Sequence, residues 1–228
     1  MVLRRDRPGD QEETIMRDRD APARIGVIVY PGIEPIDLGG TVGVLSMARR
    51  ILPNLGDAVI AAEAGPVRMA GGLAVVVPFG VADAPDCDVF VVCGGPGWPE
   101  AAQDDRLLAF LRGRRPEALA SVCTGALILA AAGSLDGRMA TTRRAAVGAE
   151  VTAPLDLLAT RADRVRPRAA AIVDDVVVTG GGVSLAIDTT LYLIGKLYGA
   201  DACQDVARLI EYDRALAANA QALGVVAP

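Results

Sequence analysis

The sequence predicts an α/β fold: a single domain with a mostly parallel, doubly wound sheet and helices on both faces. Three observations support this prediction. Short apolar runs of strand length alternate with longer apolar segments of helix length. The strand-length runs are apolar throughout, which is typical of strands buried on both faces. Finally, 228 residues suit one large α/β domain or two small ones, and the absence of a repeat or linker within residues 24–218 favours one domain.

The first half of the chain supplies the opening strands and helices. Residues 25–30 (IGVIVY) are a β-branched apolar run of strand length. A helix is predicted over residues 37–50, where apolar residues recur at helical spacing and Arg49 and Arg50 favour the negative end of the helix dipole. The next predicted elements are a strand over 58–63, a hairpin of 66–70 with 73–78, a strand over 87–93 and a helix over 104–114.

The second half continues the alternation. Residues 118–122 form a predicted strand that leads directly into a helix over 124–132. The glycines at 180–182 are interpreted as a turn before a helix, since glycine adopts the backbone angles that turns need. The other predicted elements are strands over 139–142, 164–166, 170–173 and 176–179, helices over 184–198 and 200–217, and a frayed end over 224–228.

Both ends of the chain are predicted to lie outside the domain. Residues 1–23 are rich in charges of both signs and lack the apolar segment of a signal peptide, so we expect a disordered leader. The domain itself is expected to span residues 24–218, with a C-terminal tail over 219–228. No run approaches the ~18 apolar residues of a membrane helix, so no membrane span is expected.

Net charge and cysteine content limit the binding partners and the cellular compartment that are expected for this protein. A net charge of −5 argues against nonspecific nucleic-acid binding. The four cysteines show neither a CxxC motif nor the spacing of a metal site, so we interpret them as free thiols in a reducing cytoplasm. Cys87, Cys93 and Cys203 lie within apolar segments and are interpreted as core residues. No metal ion and no organic cofactor is implied.

The absence of histidine restricts the catalytic chemistry. A chain without histidine has no Ser-His-Asp triad, no Cys-His dyad and no histidine-bound zinc, and a homo-oligomer cannot supply the missing ring. A nucleophile in this protein therefore needs another means of activation.

Cys123 is the candidate nucleophile. It follows the predicted strand over 118–122, and ligands of doubly wound sheets bind beyond the carboxyl ends of the strands. The small residues Ser121 and Gly125 on either side match a nucleophile elbow. Free N–H groups at a helix start favour a thiolate, so a lowered thiol pKa is expected. The alternative is a buried, unreactive cysteine.

Other candidate residues follow neighbouring strands. Asp37 comes after the first strand as a candidate acid and base, with Glu34 as a rival acid in the same loop. The alternative is that Asp37 only caps the following helix. Gly94 and Gly95 follow a later strand, and the N–H groups of Gly95 and Thr124 are candidates for an oxyanion pocket. A simple glycine turn is the alternative there.

These motifs resemble the ThiJ/PfpI superfamily, which has the class I glutamine amidotransferase-like, flavodoxin-like fold. The resemblance covers about residues 24–213, through the segments GVIVYPGIEPIDLGG, DVFVVCGGPG, ASVCTGALILAAAGSLDGRMATT and VVVTGGGVSLAIDTTLYLI. The Ser-Val-Cys-Thr-Gly turn and the Ala-Thr-Thr motif are typical of the isocyanide (isonitrile) hydratase branch and of related sensor domains in some transcription regulators.

The resemblance implies an activity and a role for each candidate. Cys123 corresponds to the family nucleophile, Asp37 to its acidic partner, Thr124 to the threonine after the cysteine, and Gly94 and Gly95 to the glycine-rich loop. It implies cysteine-dependent hydration of a small electrophile, an isocyanide that becomes an N-substituted formamide through a covalent cysteine adduct. A small-molecule substrate and a homodimer are also implied. Protease and amidotransferase activities need histidine and are excluded.

Two alternatives to the hydratase interpretation stay open. A reactive Cys123 also suits a non-enzymatic ligand sensor or oxidative-stress sensor, since thiolates are oxidation sites. A structural relative with an inactive site is the other alternative. The chain also has Arg143 and Arg144 where His-Trp often follows the Ala-Thr-Thr motif. If either arginine lines the pocket, we expect a substrate that is anionic or more polar than an isocyanide.

Overall fold

The computed structural model describes residues 17–160 and 164–228, in which strands and helices alternate. The strands are β1 (Ala23–Ile28), β2 (Leu55–Ala61), β3 (Gly65–Arg68), β4 (Ala74–Val77), β5 (Phe79–Gly80), β6 (Val89–Val92), β7 (Leu119–Ser121), β8 (Arg138–Ala140), β9 (Val165–Pro167), β10 (Ile172–Asp174), β11 (Val178–Gly180) and β12 (Val225–Val226). The helices are α1 (Pro35–Ala48), α2 (Trp98–Ala101), α3 (Asp105–Arg112), α4 (Gly125–Ala132), α5 (Pro154–Ala159), α6 (Leu185–Tyr198), α7 (Ala200–Leu209) and α8 (Asp213–Leu223).

The central sheet is mostly parallel, which confirms the predicted fold class. Its strand order is β12-β10-β11-β7-β6-β1-β2-β5, and β10 runs antiparallel to β11. From β1 the chain first continues to β2 on one side and later adds β6 on the other, so the carboxyl ends of β1 and β6 border a crevice. The carboxyl ends of β11, β7, β6 and β1 lie side by side at one edge of the sheet.

Both faces of the sheet are buried, as the uninterrupted apolar strands predict. Successive side chains of a strand point to opposite faces. Val91 of β6 accordingly packs with residues of α1, α6 and α7, whereas Phe90 and Val92 pack with residues of α2, α3 and α4. In β1, Val27 and Ile28 divide in the same way. A strand covered on both sides has no position for a polar side chain, so no alternation is visible in the sequence.

The single helix predicted over residues 200–217 is wrong, because the chain breaks it into α7 and α8. Glu211, between the two helices, has a φ of 56°. The break lets Tyr212 Oη donate a hydrogen bond to Asp188 of α6 at 2.8 Å, and Asn219 of α8 donates to the same carboxyl group. The buried carboxyl of Asp188 on α6 thus favours the end of α7 at this point. The local sequence contains no turn-forming residue that would predict the break.

The frayed end predicted over residues 224–228 is also wrong. Val225 and Val226 form β12, which pairs in parallel with β10 at the edge of the sheet. The preceding α8 runs to Leu223, through the segment predicted as a tail. This edge pairing adds a strand that is too short to be recognised from the sequence pattern, as are β5, α2 and α5.

Residues 17–22 lie against the domain ahead of β1. The Arg17 N–H donates to Leu197 O at 3.0 Å, and the Arg17 guanidinium pairs with Asp88 at 2.6 Å. The remainder of the predicted leader, residues 1–16, lies outside the described residues. In the part of the chain that the structure describes, no helix has both the length and the apolar character needed to cross a membrane.

The start of α4 leaves no room for a side chain at Gly125. A Cβ atom placed on Gly125 would overlap Val92 O and lie 2.8 Å from Val92 C. We expect Gly125→Ala to lower the free energy of unfolding by about 3 kcal/mol, because β6 or α4 has to move. Denaturant unfolding followed by circular dichroism measures this loss.

Gly39 provides a matched control within another helix. It lies exposed on α1, and nothing lies within 4 Å of a Cβ atom placed on it. Gly39→Ala is therefore expected to raise the free energy of unfolding by about 0.5–1 kcal/mol, since alanine restricts the unfolded chain more than glycine does. Equal effects of the two substitutions would contradict the steric argument.

Candidate active site

Cys123 lies at the turn between β7 and α4, and its backbone is held from two sides. Its φ is 51°, a left-handed conformation that is uncommon for a residue with a side chain. The Cys123 N–H donates to Gly181 O at 3.0 Å, and Thr142 Oγ1 donates to Cys123 O at 2.6 Å. Such a conformation costs about 1–3 kcal/mol and persists only where neighbouring groups enforce it. These two hydrogen bonds enforce the sharp turn that the sequence predicts.

Asp37 lies in the first turn of α1 and is fully buried. Glu34 occupies the N-cap position of α1, so the interpretation of Asp37 as a mere helix cap is wrong. Asp37 Oδ2 accepts the Gly94 N–H at 2.9 Å. Its Oδ1 has no hydrogen-bond partner among the described residues. Buried polar atoms are nearly always paired, so this oxygen is available to hold a proton.

Gly94 is the point at which Asp37 and Cys123 meet. A Cβ atom placed on Gly94 would lie 2.6 Å from Cys123 Cβ and 2.7 Å from Asp37 Oδ2. It would also lie 2.5 Å from Thr124 N. Any larger residue would therefore separate the carboxyl from the cysteine, which explains why glycine follows β6 here.

Both ionisable groups of this pair favour their protonated forms. Burial raises the pKa of Asp37 to about 7, although the Gly94 N–H and the Cys123 thiol act in the opposite direction. Burial, followed by the charge of Asp37, raises the pKa of Cys123 to about 12. The expectation of a lowered thiol pKa is therefore wrong. The Thr124 N–H at the helix start does lower it, but desolvation and the neighbouring carboxyl outweigh that effect.

Thr124 and Gly95 bond to each other and close the loop behind the cysteine. The Gly95 N–H donates to Thr124 Oγ1 at 2.8 Å, and Thr124 Oγ1 donates to Gly95 O at 3.2 Å. The Gly95 N–H is thus already used, so the predicted oxyanion pocket of Gly95 and Thr124 is not present in this arrangement. The Thr124 N–H instead lowers the pKa of the Cys123 thiol, against the larger effect of burial.

A cavity of about 150 Å³ opens beside Cys123. A cavity of roughly 150 Å³ accommodates a ligand of about the size of benzene, so this one suits a small molecule. Glu34 stands at its border and is only partly buried, whereas Asp37 is fully buried beside the cysteine. The residues that line the cavity are Glu34, Gly95, Pro96, Cys123, Thr124, Arg143, Val147, Glu150 and Val183.

Arg143 and Arg144 are adjacent in sequence but lie in different environments. Arg143 is only 8% exposed; it lines the same cavity as Cys123, and its guanidinium pairs with Glu150 at 2.5 Å. Arg144 is exposed. The lining holds Arg143 together with two carboxyl groups, Glu34 and Glu150, so it offers no excess positive charge. Arg143 thus meets the condition stated for the substrate: the lining gives no support to an anionic substrate, and a substrate more polar than an isocyanide stays a prediction.

Gly182 is a site residue that the sequence interpretation missed. A Cβ atom placed on it would lie 2.9 Å from Cys123 Sγ and 2.8 Å from Arg143 Cβ. The glycines at 180–182 therefore do more than form a turn before α6: they give the cysteine and the arginine room beside the sheet. The available signal was their position after a strand, which is shared by the other site segments.

The remaining cysteines lie away from the cavity lining. Cys93 is fully buried, and its sulfur lies 3.9 Å from Thr41 Oγ1. Cys203 borders a larger cavity of about 290 Å³ at α6 and α7, which holds none of the predicted site residues. Within residues 17–160 and 164–228, no group of three or more cysteine, aspartate or glutamate side chains is arranged to bind a metal ion.

Comparison with known proteins adds independent findings. The model of the DJ-1/PfpI family matches residues 23–196. An isonitrile hydratase from Pseudomonas putida is 34% identical over 192 residues, which cover 83% of this chain and 78% of the hydratase.

Two solved structures have a similar fold. A THiJ/PfpI family protein from Pseudomonas syringae superimposes with a TM-score of 0.73 at 29% identity, covering 91% of this chain and 82% of that one. Drosophila melanogaster DJ-1beta has a TM-score of 0.71 at 18% identity, covering 84% of this chain and 98% of the fly protein. At 18% identity the fly protein bears on the fold alone.

Proposed function

The chain belongs to the DJ-1/PfpI family, and from that premise we propose that it hydrates a small isocyanide to an N-substituted formamide. Cys123 acts as the nucleophile and Asp37 as the acid and base. The similarity to an isonitrile hydratase supports a small-molecule substrate. The observation that carries the proposal is a buried cysteine and carboxyl pair beside a small cavity, in a chain without histidine.

The raised pKa values suit the first step of this reaction. The terminal carbon of an isocyanide has to gain both a proton and a sulfur substituent, so a protonated thiol supplies both. Asp37 takes the proton from Cys123 Sγ and passes it to the isocyanide carbon. Sγ then bonds to the same carbon, which leaves a neutral thioimidate and returns Asp37 to its carboxylate. A carboxyl group with a pKa of about 7 exchanges protons readily in both directions near neutral pH.

Water completes the reaction at the thioimidate carbon. Asp37 removes a proton from the attacking water and delivers it to the substrate nitrogen. The resulting tetrahedral adduct then loses its hydroxyl proton through Asp37 to the departing sulfur. The C–S bond breaks, a C=O bond forms, and the formamide leaves with Cys123 again a thiol.

The sensor alternative finds less support in the same geometry. Oxidation-sensing cysteines are accessible thiolates with low pKa values. Cys123 is 3% exposed, and burial raises the pKa of its thiol. The site therefore suits chemistry in which the thiol proton is used.

We also propose a cytoplasmic homodimer, as the family resemblance implies; sedimentation equilibrium would then give twice the chain mass of 23.5 kDa.

The proposal is tested by incubating the purified protein with cyclohexyl isocyanide and measuring N-cyclohexylformamide by chromatography. In D₂O the formyl carbon is expected to carry deuterium, because its hydrogen comes from exchangeable groups. In ¹⁸O-labelled water the carbonyl oxygen is expected to carry the label. Absence of formamide with several alkyl and aryl isocyanides would contradict the proposed activity.

A further inference from the structure

Arg143 is the cationic side chain in the described lining of the cavity. It follows β8 and lies near the cysteine at Gly182, since a Cβ atom on Gly182 would lie 3.0 Å from Arg143 Cγ and 2.9 Å from Cys123 Sγ. Its exposure of 8% places the charge in surroundings where electrostatic interactions are stronger than in water. Glu150 holds the guanidinium by an ion pair and Ala145 O accepts from it.

The backbone N–H donors expected at the carboxyl edge of the sheet largely bind other groups of the site. The Gly94 N–H donates to Asp37, and the Gly95 N–H donates to Thr124 Oγ1. When the thiol proton leaves Cys123, the sulfur carries a negative charge beside a carboxyl group. That charge needs stabilising groups, and the Thr124 N–H is the backbone donor that acts on it.

We propose that Arg143 is a further catalytic residue, whose guanidinium stabilises the negative charge on Cys123 Sγ as the thiol loses its proton. This proposal deepens the proposed function and rests on it only in taking Cys123 as the nucleophile. Arginine suits the role because it stays charged at all physiological pH values and offers five N–H donors. Glu150 and Ala145 O occupy two of its nitrogens, and Arg143 shares the cavity lining with Cys123 beside Gly182.

Arg143 acts among several ionisable groups around the thiol. Asp37 of α1 opposes thiolate formation. Tyr30, after β1, and Cys93, after β6, are buried, and burial raises the pKa of each. Glu34 and Glu150 are the carboxyl groups that line the cavity. None of these groups supplies a positive charge. Removal of Arg143 is therefore expected to destabilise the thiolate form of Cys123.

The test measures alkylation of Cys123 by iodoacetamide as a function of pH, without any isocyanide. Peptide mapping by mass spectrometry separates Cys123 from the other cysteines. We expect Arg143→Met to slow alkylation at pH 8 about tenfold or more and to move the pH profile upward, since one nearby charge shifts a pKa by about one unit or more. Arg143→Lys keeps the charge and is expected to stay within about threefold of the parent.

Arg144→Met is the matched control, because it removes the adjacent but exposed arginine, and it is expected to leave alkylation unchanged. Equal alkylation of Arg143→Met and the parent would overturn the proposal, as would equal losses in Arg143→Lys and Arg143→Met. If Arg143→Met does not fold, Arg143→Gln takes its place in the comparison. Charge-dependent alkylation in a protein that forms no formamide would uphold the role of Arg143 and contradict the hydratase activity instead.

Discussion

Cys123→Ala is expected to reduce formamide formation from cyclohexyl isocyanide by about 10³-fold or more, because the sulfur that forms the covalent adduct is removed. The substitution removes one sulfur atom from a turn whose hydrogen bonds are made by the backbone of residue 123, so the fold should persist. Steady-state rates measure the loss, and circular dichroism checks the fold. Cys123→Ser is expected to be similarly inactive, since a serine hydroxyl is a much weaker nucleophile near neutral pH.

Cys87 provides the control for this experiment. It is a partly exposed thiol outside the cavity lining, and burial raises the pKa of its sulfur to about 11. Cys87→Ala is expected to keep the full rate. Formamide formation that survives in Cys123→Ala would show that another group performs the chemistry and would remove the proposed mechanism.

Asp37→Asn is expected to lower the turnover rate by about 10²–10⁴-fold, the usual contribution of a general acid and base. Asparagine keeps the shape of the side chain and an acceptor for the Gly94 N–H, so the loss reports on the proton and not on packing. Glu34→Gln removes the rival carboxyl at the cavity border and is expected to change the rate only a few-fold. A rate that falls with Glu34→Gln and survives Asp37→Asn would exchange the two roles.

The same Asp37→Asn variant is expected to alter the pH dependence of stability. The pKa of Asp37 is about 7 in the folded protein, against an ordinary aspartate pKa of 3.8. Between about pH 4 and pH 7 the folded state binds more protons than the unfolded state, so the free energy of unfolding falls as pH rises. At about 1.4 kcal/mol per pKa unit, this loss amounts to roughly 4 kcal/mol by pH 8.

The Asp37→Asn substitution removes this pH dependence of stability, because it replaces the group that titrates. The parent should lose stability relative to Asp37→Asn as pH rises from about 4 to 7, with a constant difference above pH 8. Urea unfolding at several pH values measures the two curves. Parallel curves for the two proteins over this range would contradict the raised pKa of Asp37.

The sequence made the position of Cys123 and Asp37 predictable because strands of a parallel sheet end at one edge. Apolar runs locate the strands, and the residue after each run is then a site candidate. The hairpin of β3 and β4 was predictable for a similarly local reason, a pair of glycines between two short runs. Such inferences need only the next few residues of the chain.

Other features depended on contacts that no local pattern records. The direction of the Cys123 pKa shift is set by burial and by Asp37, which lies on another helix. The division between α7 and α8 is set by the buried carboxyl of Asp188. That Arg143 turns inward and Arg144 outward depends on the path of the chain after β8. Each of these outcomes requires the assembled structure.

The cavity has two walls that differ in how well they accept substitutions. This difference determines where mutations can change the range of substrates that the protein accepts. One wall consists of Gly95 and the Cys123 turn, where a side chain added at Gly95 would collide with the neighbouring backbone. The other includes Val147 and Val183, which take no part in the proposed chemistry. Substitutions in this second wall change the shape and charge of the cavity without displacing the nucleophile. Directed evolution of substrate range should therefore accumulate changes there, while the glycine wall stays invariant.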